Sequence, residues 1–144
     1  MREISKTITE KDIQSLIIEY NILKSLIEEL QKRSALLAQL SNEINDTITS
    51  LRHIGESEEK EVLLPLGSMI FLKAKNIDVE KIIVKIGANV LVEKPLDSAL
   101  DYLTKIKSEV DLEMMNTNRR LEEAIVRYRQ LDEILSKIVS EKGR

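Results

Sequence analysis

The residues able to do chemistry in this chain are few and badly placed for catalysis. His53 is the only histidine and cysteine is absent, so a histidine-rich metal site, a thiolate nucleophile and a disulfide are all excluded. Carboxylates are plentiful, but Glu28-Glu29 and Glu122-Glu123 alternate with Lys32-Arg33 and Arg119-Arg120. That is the pattern of solvated helix faces, where a pair such as Glu28 and Lys32 contributes only about 0.2–0.5 kcal/mol. Nothing around them would desolvate a carboxyl and shift its pKa. No stretch reads GxxxxGK[ST], so a phosphate-binding loop is missing too. The expectation is a protein with no catalytic residues, no metal and no cofactor.

Charge and hydropathy narrow the partners. Lys+Arg 22 against Asp+Glu 25 leaves a net charge of -3, without the basic excess that nucleic-acid binding draws on. No apolar run approaches the roughly 18 residues that cross a bilayer, and Met1 to Glu10 has no apolar signal core. A cytoplasmic protein that binds neither nucleic acid nor membrane is expected, in which the sequon Asn45-Asp46-Thr47 stays silent. Aromatic residues are only 3% of a chain that is 33% charged, a composition that suits long helices with narrow seams.

The apolar residues supply those helices. Ile13, Leu16, Tyr20, Leu23, Ile27, Leu30, Ser34, Leu37, Ser41, Ile44, Ile48 and Leu51 step by threes and fours, a heptad stripe that faces one partner. Thr9-Glu10-Lys11-Asp12 resembles a capping box, and Gly55 is a natural stop. A first helix is therefore predicted over about residues 10–54. Beyond Pro95, a second stripe runs Leu96, Leu100, Leu103, Lys107, Val110, Met114, Thr117, Leu121, Ala124, Tyr128, Leu131, Leu135 and Ile138, predicting a helix over 95–140. The stripe from Ile13 to Leu51 is as long as that from Leu100 to Ile138. If Leu51 lies by Leu100, Ile13 meets Ile138, as in an antiparallel hairpin. Ser34, Ser41, Lys107 and Thr117 interrupt the two seams, either as tolerated small residues or as points of close approach.

Between the helices, residues 62–93 read as two β-hairpins. Val62 to Gly67 and Met69 to Ala74 flank a Gly-Ser turn, and Lys81 to Ile86 and Val90 to Glu93 flank Gly87-Ala88-Asn89. Two hairpins cannot close a sheet, and their edges stay open to other strands. The fold class is thus mainly α with a small β region: a long antiparallel coiled-coil hairpin whose two β-hairpins assemble into an intersubunit β-barrel. The residues expected at that contact are Val62, Leu64, Leu66, Gly67, Ile70, Phe71, Leu72, Ile83, Val84, Ile86, Gly87, Val90 and Val92.

Leu64-Pro65-Leu66-Gly67, Phe71, Ala74, Ile83-Val84-Lys85-Ile86-Gly87, Val90, Val92-Glu93-Lys94 and Ala99, set between heptad arms, resemble the α-type subunit of archaeal prefoldin over nearly the whole chain. The second hairpin separates it from β-type subunits, which carry one. The resemblance implies a single prefoldin-like domain over 1–144, in a hexamer of two α-type and four β-type subunits. It implies an ATP-independent molecular chaperone whose coiled-coil tips hold unfolded client proteins and deliver them to a group II chaperonin.

Apolar residues overflow the seam toward the free helix ends. The client-binding set expected there is Ile4, Ile8, Ile13, Leu16, Ile17, Ile18, Ile22, Val126, Leu131, Ile134, Leu135, Ile138 and Val139. Exposed aliphatic patches mark interaction surfaces. The competing interpretation is a wide seam in which such residues pack under charged stems, and Leu36, Leu40 and Met115 lie off the seam elsewhere. A structural coiled-coil filament or scaffold built on the same β platform is the alternative function, and a prefoldin-like transcription scaffold a weaker third.

Overall fold

The computed structural model describes residues 8–142. Helix α1 runs Glu10–Glu56, strands β1 Val62–Pro65, β2 Phe71–Ala74, β3 Ile82–Gly87 and β4 Val90–Lys94 follow, and helix α2 runs Leu96–Lys142. Two compact units divide these elements. One combines the residues up to Leu37 with those from Glu113 onward, and the other is Ala38–Leu112.

In the first unit, α1 and α2 pair antiparallel along the two predicted stripes. Leu30, Ala124 and Leu131 are buried, and Thr117 is almost completely so. The Ser34 hydroxyl donates to Asn118 Oδ1 at 2.6 Å, and Arg33 pairs with Glu113 at 2.6 Å. Helix α1 starts on a reciprocal cap. The Asp12 amide donates to Thr9 Oγ1 at 3.2 Å, and the Thr9 amide to Asp12 Oδ2 at 3.1 Å. Two of the helix-start donors without intrahelical partners are satisfied this way.

The second unit repeats the seam with Ile44, Ile48 and Ala99 buried. Its polar interruptions turn out to be a bonded set. The buried Ser41 hydroxyl donates to Asp111 Oδ1 at 2.7 Å, while Lys107 Nζ donates to Asp111 Oδ2 at 2.8 Å. The bond from Lys107, then the bond from Ser41, holds the Asp111 carboxyl below its ordinary pKa. A side chain that completes hydrogen bonds only in one alignment penalises a slipped register.

Gly55 does not end α1 by a left-handed turn, because no described glycine has positive φ. The helix continues to Glu56. A Cβ at position 55 would lie 3.0 Å from Leu96 Cδ2, so the glycine admits the start of α2. Lys60, at φ 44, closes the helix instead. Its ammonium donates to the carbonyls of Ile54 and Gly55 at 2.8 Å and of Ser57 at 2.6 Å. A cation there satisfies orphan carbonyls and opposes the negative end of the helix dipole. Helix α2 begins one residue after Pro95, whose carbonyl accepts the Ala99 amide, while the Leu96 amide donates to Val79 O at 2.8 Å.

The strands form two separate antiparallel sheets, β1 with β2 and β3 with β4. Val62 pairs with Ala74 and Leu64 with Leu72 in the first, and Val84 pairs with Val92 in the second. The first hairpin's strands are shorter than expected and stop at Pro65 and Phe71, where Pro65 lacks a ladder donor. In the second hairpin Asn89, at φ 62, takes the left-handed turn position, beside a bulge between Lys85 and Gly87.

Replacing Lys60 by Met keeps the apolar stem but removes the cation from three carbonyls. The variant should lose about 1 kcal/mol and exchange the amides near Ile54 to Ser57 faster. Wild-type melting and wild-type exchange there would contradict this role.

Candidate interaction surfaces

The end of the first unit that holds the α1 start and the α2 finish is organised by two tyrosines. Tyr20 and Tyr128 occupy seam positions and stack with ring centroids 4.5 Å apart. The Tyr128 hydroxyl donates to the Tyr20 hydroxyl at 2.7 Å, which donates onward to Asp132 Oδ1 at 3.3 Å. The Tyr128 hydroxyl, then partial loss of water, then the nearby Asp132 charge push the Tyr20 pKa from 10.0 up to about 12. Beside them Arg127 Nε and Nη2 donate to the two Glu19 oxygens at 2.7 and 3.1 Å. This fork lowers the Glu19 pKa and raises that of Arg127.

Around this clasp the expected client-binding residues separate into two groups. Ile8, Ile17, Ile18, Ile22, Val126, Ile134 and Val139 are exposed, from 38% at Ile134 to 71% at Val139. Ile13, Leu16, Leu135 and Ile138 are half-buried on the seam. Leu131, a seam residue, differs from both groups in being fully buried, at 0% exposure. Ile4 lies outside the described residues. The depressions along these helices are shallow, each lined by polar and apolar side chains together. Among the described residues, no group of three or more His, Asp or Glu is placed to hold a metal, and no helix is long and apolar enough to cross a membrane.

The second surface is on the hairpins. In β1–β2, Leu64 and Leu72 lie on one face and Phe71, with Leu63, on the other, and all four are about half exposed. Both faces of one sheet are therefore apolar and open. Leu66, Met69 and Ile70 extend this surface through the connecting loop, where Met69 reaches 89% exposure. In β3–β4, Ile83, Ile86 and Val90 are exposed while Val92 is half-buried, as is Val62 at the start of β1. Gly67 and Gly87 are exposed, with open space where a Cβ would be. Val84 differs from these: it is buried at 9% within its own chain, on the face that it shares with Val92. Leu63, Met69 and Leu91 are exposed as well and lie outside the expected set, although their apolar type in a region too small to enclose them was the available signal.

A family model described as Prefoldin subunit matches residues 23–141. Among relatives, the prefoldin subunit alpha of Thermofilum pendens is 33% identical over 83% of this chain and 93% of its own length. The subunit of the same name from Saccharolobus islandicus is 31% identical over 92% of this chain and 90% of its own. Among solved structures, a chain of the filamentous PFD from Methanocaldococcus jannaschii superposes with TM-score 0.67 at 20% identity, covering 80% of this chain and 96% of that one.

The clasp has a signature in alkali. The folded protein holds the Tyr20 proton more tightly than the unfolded chain does, so that contribution to stability is complete below pH 10 and lost as pH rises through about 12. Melting followed by circular dichroism between about pH 9 and pH 12 should fall less steeply for Tyr20→Phe than for wild type. Equal slopes would reject the assignment.

Proposed function

The chain belongs to the prefoldin family of non-enzymatic chaperones, and on that footing we propose that it is an α-type subunit that holds unfolded proteins at its helix ends without ATP and passes them to a group II chaperonin. The observation that carries this proposal is the exposure of Ile17, Ile18, Ile22, Val126 and Val139 beside a seam already filled by Tyr20, Tyr128 and Leu131. Aliphatic groups left over from packing can be covered by a client's apolar side chains, each worth roughly 1.5–3 kcal/mol when fully buried. Such contacts are individually weak and reversible, so several arms acting together would supply avidity while release needs no nucleotide.

The hairpins supply the means of bringing arms together. A two-stranded sheet exposing Leu64 and Leu72 on one face and Phe71 on the other is marginal alone and gains from added strands. We assign residues 62–93 to oligomerisation and the helices to client handling, within one prefoldin-like domain. The assembly proposed is two copies of this chain with four β-type subunits.

Co-purification with a β-type subunit followed by mass determination should return a discrete hexamer. Open-ended polymers would favour the filament function instead. In the assembled protein, Ile17→Ser, Ile18→Ser and Ile134→Ser together should reduce suppression of client aggregation by about tenfold or more. Undiminished suppression with the hexamer intact would sink the client-binding role.

A further inference from the structure

We infer that capture is one-sided: the outward face of α1 between Gln14 and Ser25 takes extended polypeptide segments that carry no charge. The inference rests on the chaperone function proposed above and narrows it to one helix face and one class of ligand. Of the exposed residues between Asp12 and Glu28, Lys24 alone is charged. Glu19 is half-buried and neutralised by the Arg127 fork. Gln14, Ser15, Ile18, Asn21, Ile22 and Ser25 recur by threes and fours on the side of α1 away from the seam. Ile18, Asn21, Ile22 and Ser25 also line one shallow groove with Leu26, ending at Glu29.

The corresponding stretch of α2 is different. Val126 and Ile134 are set among Arg119, Glu122, Glu123, Arg129 and Glu133, all exposed. A ligand covering those isoleucine-like positions would have to strip water from charged neighbours, which is costly unless each finds a partner. On α1 that cost is absent. An incoming charged side chain, conversely, would lose its own hydration there and meet opposite charge only at the ends of the strip or at Lys24 to one side. The face thus selects against both signs of charge.

Its polar groups suit an extended backbone. Asn21 and Gln14 carry amides, and Ser25 a hydroxyl, that both donate and accept hydrogen bonds, while the Ser15 hydroxyl donates to the Lys11 carbonyl at 3.1 Å and keeps its acceptor capacity. An unfolded segment arrives with N–H and C=O groups needing partners, whereas a helix has already paired its own. The strip from Gln14 to Ser25 is about 18 Å long at 1.5 Å per residue, which matches roughly five residues of extended chain. Charged pairs bound it, with Lys11 and Asp12 at one end and Glu28 and Glu29 at the other.

The test uses the full-length chain assembled with its β-type partner and fluorescent peptides of about ten residues. The peptides share Val and Ser, and their remaining positions are Asn, Lys or Glu. The Asn peptide should bind about tenfold tighter than either charged form, and should change less than about twofold as salt rises from about 50 to 500 mM. Ile18→Ser with Ile22→Ser should weaken it about tenfold, and Val126→Ser with Ile134→Ser by less than about twofold. Asn21→Lys should make the Glu peptide the better ligand. Loss confined to the α2 pair, or equal affinity for all three peptides, overturns the inference while leaving aggregation suppression as the separate measure of chaperone function. A changed assembly mass on substituting Ile18 and Ile22 would also overturn it, by making this face a subunit contact.

Discussion

Two helices packed against each other can bury only one stripe each. Everything else in this protein follows from that geometric limit. The stripe is filled by Leu30, Ala124, Leu131 and the Tyr20–Tyr128 stack in one unit, and by Ile44, Ile48 and Ala99 in the other. Among the described residues of the first unit no third element covers the outward faces, so aliphatic side chains well beyond the stripe, such as Ile18 and Ile22, stand in water. In a compact domain Ile18, Ile22, Val126 and Val139 would be core residues. Here they are surface, as exposed aliphatic groups at interaction sites are.

A narrow seam also needs a device that stops it sliding, because aliphatic residues spaced by threes and fours pack almost equally well one heptad along. The polar interruptions supply it. Ser34 meets Asn118, Ser41 meets the Asp111–Lys107 pair, Arg33 meets Glu113, and Glu19 meets Arg127. Each is modest as a source of stability, being partly solvated. Their value lies in specificity: slipping the helices would leave buried hydroxyls such as Ser41 without partners.

The two hairpins are not equivalent, although they look alike as strand pairs. The second has a covered face, with Val84 buried and Val92 half-buried, and an open face carrying Ile83 and Leu91. The first is open on both faces. One hairpin is therefore attached to its own chain by one side, while the other presents both sides to neighbours. This difference gives the proposed assembly a physical order, with the first hairpin the more dependent on partners.

Heptad spacing is a local, repeating property, so the sequence alone determined the two helices, their antiparallel pairing and the equal length of their stripes. The capping box at Thr9 and the left-over apolar residues near the helix ends were legible for the same reason. Matched alternation likewise made two hairpins, and the resemblance carried by Leu64 to Gly67 and Ile83 to Gly87 placed them in a family. What depended on contacts between distant residues was not legible. Gly55 looked like a helix stop and is a point of close approach for Leu96, while the stop is Lys60, five residues on, folding its ammonium back over carbonyls. Val84 shared the residue type and alternation of exposed neighbours, yet the tertiary structure buried it. The physical reason is that spacing specifies which side of an element a residue occupies, whereas burial depends on what the fold brings against that side.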